Sequence, residues 1–290
     1  MKNWITGPTL AIVTIAAALL MTVSTVAGQA TGAPAQGAQG AQGGRGAAGG
    51  RGAAPAVPAG PFTRTPDGKP DLNGYWAGCC NLGLQDLETQ RGIIVEPAGS
   101  KIPYNAEYAA KAKDTRANHM FDEPGLHCLL EGVPFQMFTQ FGFQIIARPE
   151  QVQLAWDFMN ATRIIPLDSR PHVPAALKLF MGDSIGHWEG DVLVVDTTNL
   201  NDRTWLDAVG HIHSDAIHVV ERFTPIDANT IRYEATVEDS KAFTQPLKLT
   251  DTFRRNTTKG YELMEFACLE GGNTDLEHYT EAAGAPPKPK

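Results

Sequence analysis

From Phe135 onward the chain repeats in twos. In PFQMFTQFGFQIIARP, Phe135, Met137, Thr139, Phe141, Phe143 and Ile145 fall on one face of an extended strand, and Gln136, Phe138, Gln140, Gly142 and Gln144 on the other. A period of two is the pattern of a half-buried β-strand, because successive side chains leave opposite faces of the pleat. Arg148-Pro149-Glu150-Gln151 then reads as a turn, and VQLAWDFM returns with Val152, Leu154, Trp156 and Phe158 on one side. ATRIIPLD supplies a third strand. GHWEGDVLVVDTTNL reads as a hairpin turning at Glu189-Gly190-Asp191, and HVVERFTPIDANTIRYEATVED as another turning at Asp227-Ala228-Asn229. PLKLTDTFRRN and YELMEFACLE make a last pair around Thr258-Lys259-Gly260. Eight to ten short strands follow one another without a long crossover. The pattern predicts an all-β domain: a single antiparallel up-and-down barrel of lipocalin-like architecture, with a sandwich as the other arrangement that fits the spacing.

Before this series, TPDGKPDLNGYWAG is a turn-rich lead into a short strand around Tyr75 and Trp76. Residues 105–117, NAEYAAKAKDTRA, hold the best helical stretch, alanines interleaved with charges, and predict one short surface helix.

The N-terminus is of a different kind. After Lys2 no charged residue occurs until Arg45, and residues 5–27 are almost wholly apolar or small. A basic tip, an apolar stretch and small residues at its end predict a secretory signal over residues 1–28. The apolar run is long enough that an uncleaved anchor is the alternative. Residues 29–60, rich in Gly, Ala, Gln and Pro, read as a disordered linker with nothing to bury. The barrel domain is then expected over 61–283, with a flexible tail at 284–290. The chain is therefore expected to be secreted or periplasmic, with no stable membrane insertion after cleavage. The formal charge of −8 and the lack of a basic cluster in the folded part argue against nucleic acid as a partner. A monomer or weak homo-oligomer is expected.

All four cysteines, Cys79, Cys80, Cys128 and Cys268, fall in the exported part, where disulfides are expected. CLLEG at 128–132 and CLEGG at 268–272 echo each other, which suggests a Cys128–Cys268 bridge. Closing so long a loop is worth ~5 kcal/mol in the chain-entropy model. The crossed pairings with Cys79 and Cys80 stay open at this level.

Several of these segments taken together, PDGKPDLNGYW, RIIPLDSRPH, MGDSIGHWEGDVLVVDTTN, GHIHSDAIHVVERF and FACLEGGN, resemble an abundant, largely uncharacterised family of secreted bacterial proteins. Its members share a PDGxPDLxGxW opening and a GDSxGxWEGDxLVVxT hairpin. The resemblance spans residues 64–275 and implies export and one β-rich domain; it transfers no catalytic residue. The chain departs from the family pattern at Ser169, where glycine is usual after the aspartate, and at Leu269, where histidine is common after the cysteine.

Candidate chemistry concentrates in GHIHSDAIHVVERF, residues 210–223, with His211, His213, His218, Asp215 and Glu221. His211 and His213, two apart, would share a face of a strand, but a third ligand at clear spacing is wanting, so no metal site and no cofactor is assigned. Acid–base chemistry needs less: one histidine oriented by a carboxylate suffices. The expected catalytic residues are His213 with Asp215, His187 with Glu189, and His218. Arg163, Asp168, Arg170, Trp188 and Glu221 are the expected substrate-binding residues, the arginines as holders of an anionic group. No P-loop or HExxH occurs. Gly182-Asp183-Ser184-Ile185-Gly186 fits GxSxG but is not read as a nucleophile elbow, and the GxGxxG at residues 44–49 lies in the leader with no strand expected before it, so neither a serine hydrolase nor a phosphate loop is expected. The reading is a cofactor-independent acid–base enzyme of lyase, isomerase or hydrolase type acting on a small polar or aromatic compound. Its alternatives are a non-enzymatic small-molecule binding protein and a metal-binding form of either. Which face of the strands lines the lumen is undecided by the pattern.

Overall fold

A computed structural model describes residues 60–77, 86–89, 94–139, 142–266 and 268. The expected signal and tail and the expected linker up to residue 59, together with Cys79, Cys80 and Leu269, lie outside the described residues. Ten strands occur among those described: β1 (Gly74–Ala77), β2 (Ile94–Glu96), β3 (Phe143–Ala147), β4 (Gln151–Trp156), β5 (Thr162–Pro166), β6 (Asp183–Glu189), β7 (Val192–Thr198), β8 (Ile217–Asp227), β9 (Thr230–Asp239) and β10 (Leu247–Arg255). They form one antiparallel sheet in the order β5-β4-β3-β1-β10-β9-β8-β7-β6, with β2 sharing an edge of β10 with β1. The sheet curls into a nearly closed barrel, as the succession of hairpins predicts. The one α-helix among the described residues, α1 (Ala106–Asn118), matches the expected segment: Asn105 caps it by accepting the Tyr108 amide at 2.9 Å, and Ala112 is its only buried residue.

The apolar face of each strand is the inner one. Trp76, Phe143, Phe223, Tyr233 and Phe253 are fully buried there, with Val152, Leu154, Val195, Val219 and Leu249 between them. Tyr233 meets Phe223 at 5.2 Å and Phe253 at 5.1 Å between ring centres, and Phe253 meets Phe143 edge-on at 5.0 Å. Such pairs add about 0.5–1.5 kcal/mol each beyond the area they bury. The interior is thus a packed core.

Two expected strands take other forms. The alternation in PFQMFTQ does not continue the strand that begins at Phe143. Residues Phe135–Phe138 form a short 3₁₀ turn after a cis Val133–Pro134 bond, and Phe135, Gln136, Met137 and Phe138 are all buried. Phe138 enters the core edge-on to Tyr233 at 5.8 Å. A segment enclosed on every side gives no face to water, so its period of two carries no strand. YELMEFACLE likewise forms no strand: its described residues run without regular structure, tethered by the Tyr261 hydroxyl and the Met264 amide to Asp157.

β5 and β6 end the strand order and face each other across a seam. A Cβ on Gly186 of β6 would lie 2.8 Å from both Ile165 and Leu167, so glycine permits the approach. The seam is spanned from β5 by Arg163. Its Nε donates to Ser184 Oγ on β6 at 2.9 Å, Nη2 to Thr197 Oγ1 on β7 at 2.7 Å, and Nη1 to Glu221 Oε1 on β8 at 3.0 Å. Nη2 also contacts Glu221 Oε2, and the Tyr233 hydroxyl on β9 donates to Glu221 Oε1 at 2.9 Å. Arg163→Met should leave a buried, uncompensated carboxylate and cost about 3–5 kcal/mol of stability. Arg163→Met/Glu221→Leu should recover most of it. Chemical denaturation checks both; a single-variant loss under about 1 kcal/mol would show that the seam does not depend on the pair.

Candidate functional site

The same strands carry a second polar group on their outer face. Asp183 opens β6, Asp196 lies on β7, His218 on β8 and Glu238 on β9. Val220 is the partner of Asp196 and Glu238 that of His218, so His218 is diagonal to Asp196 on the same face. The chain after β5 brings two more groups. Ser169 sits in the left-handed region at φ 58, where glycine is favoured, and Asp168 accepts the Arg170 amide at 3.2 Å. This turn delivers Arg170 and His172 onto the ends of β6 and β7.

The resulting geometry centres on Asp196. His172 Nε2 is 3.0 Å from Asp196 Oδ1, and His218 Nε2 is 3.1 Å from Oδ1 and 3.0 Å from Oδ2. His172 Nδ1 lies 2.9 Å from Asp183 Oδ2, so a carboxylate faces each of its ring nitrogens, and only the doubly protonated ring donates to both. Arg170 and the Val173 amide also donate to Asp183, at 2.8 and 3.0 Å. Burial pushes the Asp183 carboxyl up, but these donors outweigh it and hold it below the usual carboxylate value. The His218 Nδ1 lies 3.6 Å from Glu238. The side chains of Asp196, His218 and His172 are 40%, 34% and 27% exposed, open enough for a small molecule to reach.

The expected site residues are not all brought together. His218 joins this cluster, with Arg170 and Asp168 at its border. His213 does not meet Asp215: it is buried, Nδ1 donating to the Ser214 carbonyl at 2.8 Å and Nε2 accepting from Thr204 Oγ1 at 2.8 Å, while Asp215 pairs with Lys241 on the surface at 2.5 Å. His187 does meet Glu189, at 3.3 Å, but both are exposed and Glu189 also holds Arg222 at 2.8 Å. Trp188 packs at the edge of the core, with Lys69 over its ring at 5.8 Å. Arg163 and Glu221 are inside the barrel and bind each other, which leaves neither free for a ligand. His211 is buried beside Asp207, Nδ1 to Oδ2 at 2.5 Å. Cys128 and Cys268 are bridged. Sequence reasoning passed over Asp183 and Asp196; the signal that could have found them is the outward position each holds beside an inward-facing Ser184 or Thr197.

No protein-family profile matches the chain, and no curated protein matches it.

Beside the turn that ends at Cys128 lies a pair of buried carboxyls. Glu123 accepts the Leu126 amide at 2.8 Å, and Glu131 lies so close that a Cβ on Gly125 would sit 2.4 Å from its Oε1. Burial, then the charge of Glu123 and a hydrogen bond to it, push the Glu131 carboxyl up to about 10, so it holds its proton at neutral pH. The folded pKa exceeds the unfolded value, so the stabilisation is complete below the unfolded value and declines as pH rises toward about 10. At the acid end His213, which burial holds neutral by lowering its pKa, makes stability fall as the unfolded chain takes up its proton. Glu131→Gln should raise stability near neutral pH by on the order of 1–3 kcal/mol and flatten the alkaline decline. Urea unfolding at about pH 5, 7 and 9 reads both; wild-type and variant profiles that stay parallel would show that Glu131 is not a buried acid.

Proposed function

We propose that the protein is exported and acts on a small polar molecule by cofactor-independent acid–base chemistry on the outer wall of its barrel. The observation that carries this reading is Asp196, one half-exposed carboxylate that receives the Nε2 of two imidazoles at 3.0–3.1 Å. A proton taken by one ring has a path to the other through Asp196, and histidine exchanges protons near neutral pH. Asp183 and Glu238 orient the two rings from their far sides. Arg170, 35% exposed, offers the anion contact expected for an arginine in this region. The interior is filled by aromatic side chains, which supports a ligand site on the outer wall. The reaction class stays that of a lyase, isomerase or hydrolase, in which His172 and His218 carry protons and Asp196 links them. Export rests on the apolar N-terminal stretch and is supported by the Cys128–Cys268 bridge.

The test is a screen of the folded protein in D₂O against small carbonyl and carboxylate compounds, read by NMR for deuterium incorporation, with ester and lactone hydrolysis run in parallel. A compound turned over by the wild type should lose about 10²–10⁴-fold in rate with His218→Ala or Asp196→Asn and be unchanged with His187→Ala. Equal rates in wild type and His218→Ala would sink the assignment. Saturable binding without turnover anywhere in the panel would favour the carrier reading instead.

A further inference from the structure

A second cluster shares no residue with the outer-wall site and is built for a cation. Asp207, His211, Asp86 and Glu88 converge where the loop after β7 meets the end of α1. Asp207 is 1% exposed and saturated: its Oδ2 accepts the Leu87 amide at 2.9 Å and the His211 Nδ1 proton, and its Oδ1 accepts the Val209 and His211 amides at 3.1 and 3.2 Å. Asp207 therefore fixes the tautomer of His211 and turns the Nε2 lone pair away from itself. The Tyr104 ring stacks on the imidazole at 6.4 Å and holds its plane, anchored by its own hydroxyl on the Ile212 carbonyl at 2.7 Å.

A positive group already occupies the direction in which that lone pair points. Arg116, from the last turn of α1, places Nη2 3.0 Å from His211 Nε2 and 3.8 Å from Asp86 Oδ1. Glu88 Oε1 lies 4.0 Å from the same Nε2. The donor atoms of Asp86, Asp207 and His211 all come within 4.8 Å of one another. Arg116 thus meets an imidazole nitrogen and a carboxylate, with Glu88 beside the imidazole and Lys101 contributing one further charge from outside at 3.3 Å from Glu88. The Arg116 side chain is 45% exposed and its one other hydrogen bond among the described residues runs from Nε to the Val209 carbonyl at 3.0 Å, so its guanidinium can swing into solvent.

We propose that this is a divalent-cation site in which the ion replaces the Arg116 guanidinium. His211 Nε2, Asp86 and Glu88 are the protein ligands, and Asp207 orients the imidazole from behind. One nitrogen and carboxylate oxygens suit zinc or manganese, and three protein ligands leave a position for water. Arg116 is the resident competitor: it occupies the seat until the ion arrives and its charge opposes binding.

Titration calorimetry of the full exported protein with zinc chloride, and separately with manganese chloride, tests this. One ion should bind per chain. Arg116→Ala should bind it at least about tenfold more tightly, because both the competing charge and the competing group are gone. Asp86→Asn/Glu88→Gln, at part-exposed positions, should lose the site while circular dichroism stays that of the wild type. A merely structural role for Arg116 would give no gain in affinity. Binding that is unchanged or weaker in Arg116→Ala, binding unaffected by Asp86→Asn/Glu88→Gln, or no binding by folded Arg116→Ala would each overturn the assignment.

Discussion

The pairing of Arg163 with Glu221 is what closes this barrel. Two charges taken out of water are costly, and a well-packed apolar pair in their place is often as stable or more so; the contribution of such a bridge is then specificity. Here the guanidinium reaches three successive strands, β6, β7 and β8, from the one strand that stands across the seam. The carboxylate in turn is held from β9 by Tyr233, whose hydroxyl stays protonated because burial and then Glu221 push its pKa well up. No ladder of backbone hydrogen bonds joins β5 to β6 in the strand order, so side chains do the joining. A one-residue slip of any of these strands would carry its partner to the outer face and leave a bare charge inside. The network therefore selects one register among those that the apolar alternation alone would tolerate.

That selection reaches the outer wall, because each strand gives neighbouring residues to the two networks. Ser184 on β6 faces Arg163 while Asp183 beside it faces His172; Thr197 on β7 does the same beside Asp196. On β8, Glu221 points in and His218 points out. Whatever fixes the inner residues fixes the outer ones too, since in a pleated strand their directions are tied. Chemistry placed on a strand in this way is held more rigidly than chemistry on a loop. With the interior filled by Trp76, Phe138, Phe143, Phe223, Tyr233 and Phe253, the half-exposed polar groups of these strands lie on their far side.

Much of the fold was legible in the sequence because hairpins are local. The turns at Gly190 and around Ala228 lie where glycine, aspartate and asparagine mark them, and β4 shows its inner face as Val152, Leu154 and Trp156. The sequence misled at residues 135–138, since alternation describes a surface with two environments and that segment has one. The seam was hidden for another reason: Arg163 and Glu221 are 58 residues apart, and neither segment announces the other as its partner. At the outer site, His218 stood out because it lies among other histidines. Asp196 and Asp183 read as ordinary hairpin residues until the register of β6, β7 and β8 set them beside His172 and His218.

His211 and His213 show most clearly why residue type and spacing underdetermine chemistry. They are two positions apart in one loop and both buried, at 5% and 2% exposure. His213 has neutral partners on both ring nitrogens, the Thr204 hydroxyl and the Ser214 carbonyl, and burial lowers its pKa, so it behaves as a polar core residue. His211 has a carboxylate on one nitrogen and a guanidinium on the other, with two more acidic side chains within reach. Its unshared pair is therefore presented to a place already prepared for positive charge. The difference comes from Asp207 and Arg116, four residues away in one case and on a separate helix in the other. In this barrel the carboxylate neighbours, and not the histidine count, mark where a proton or a cation can be handled.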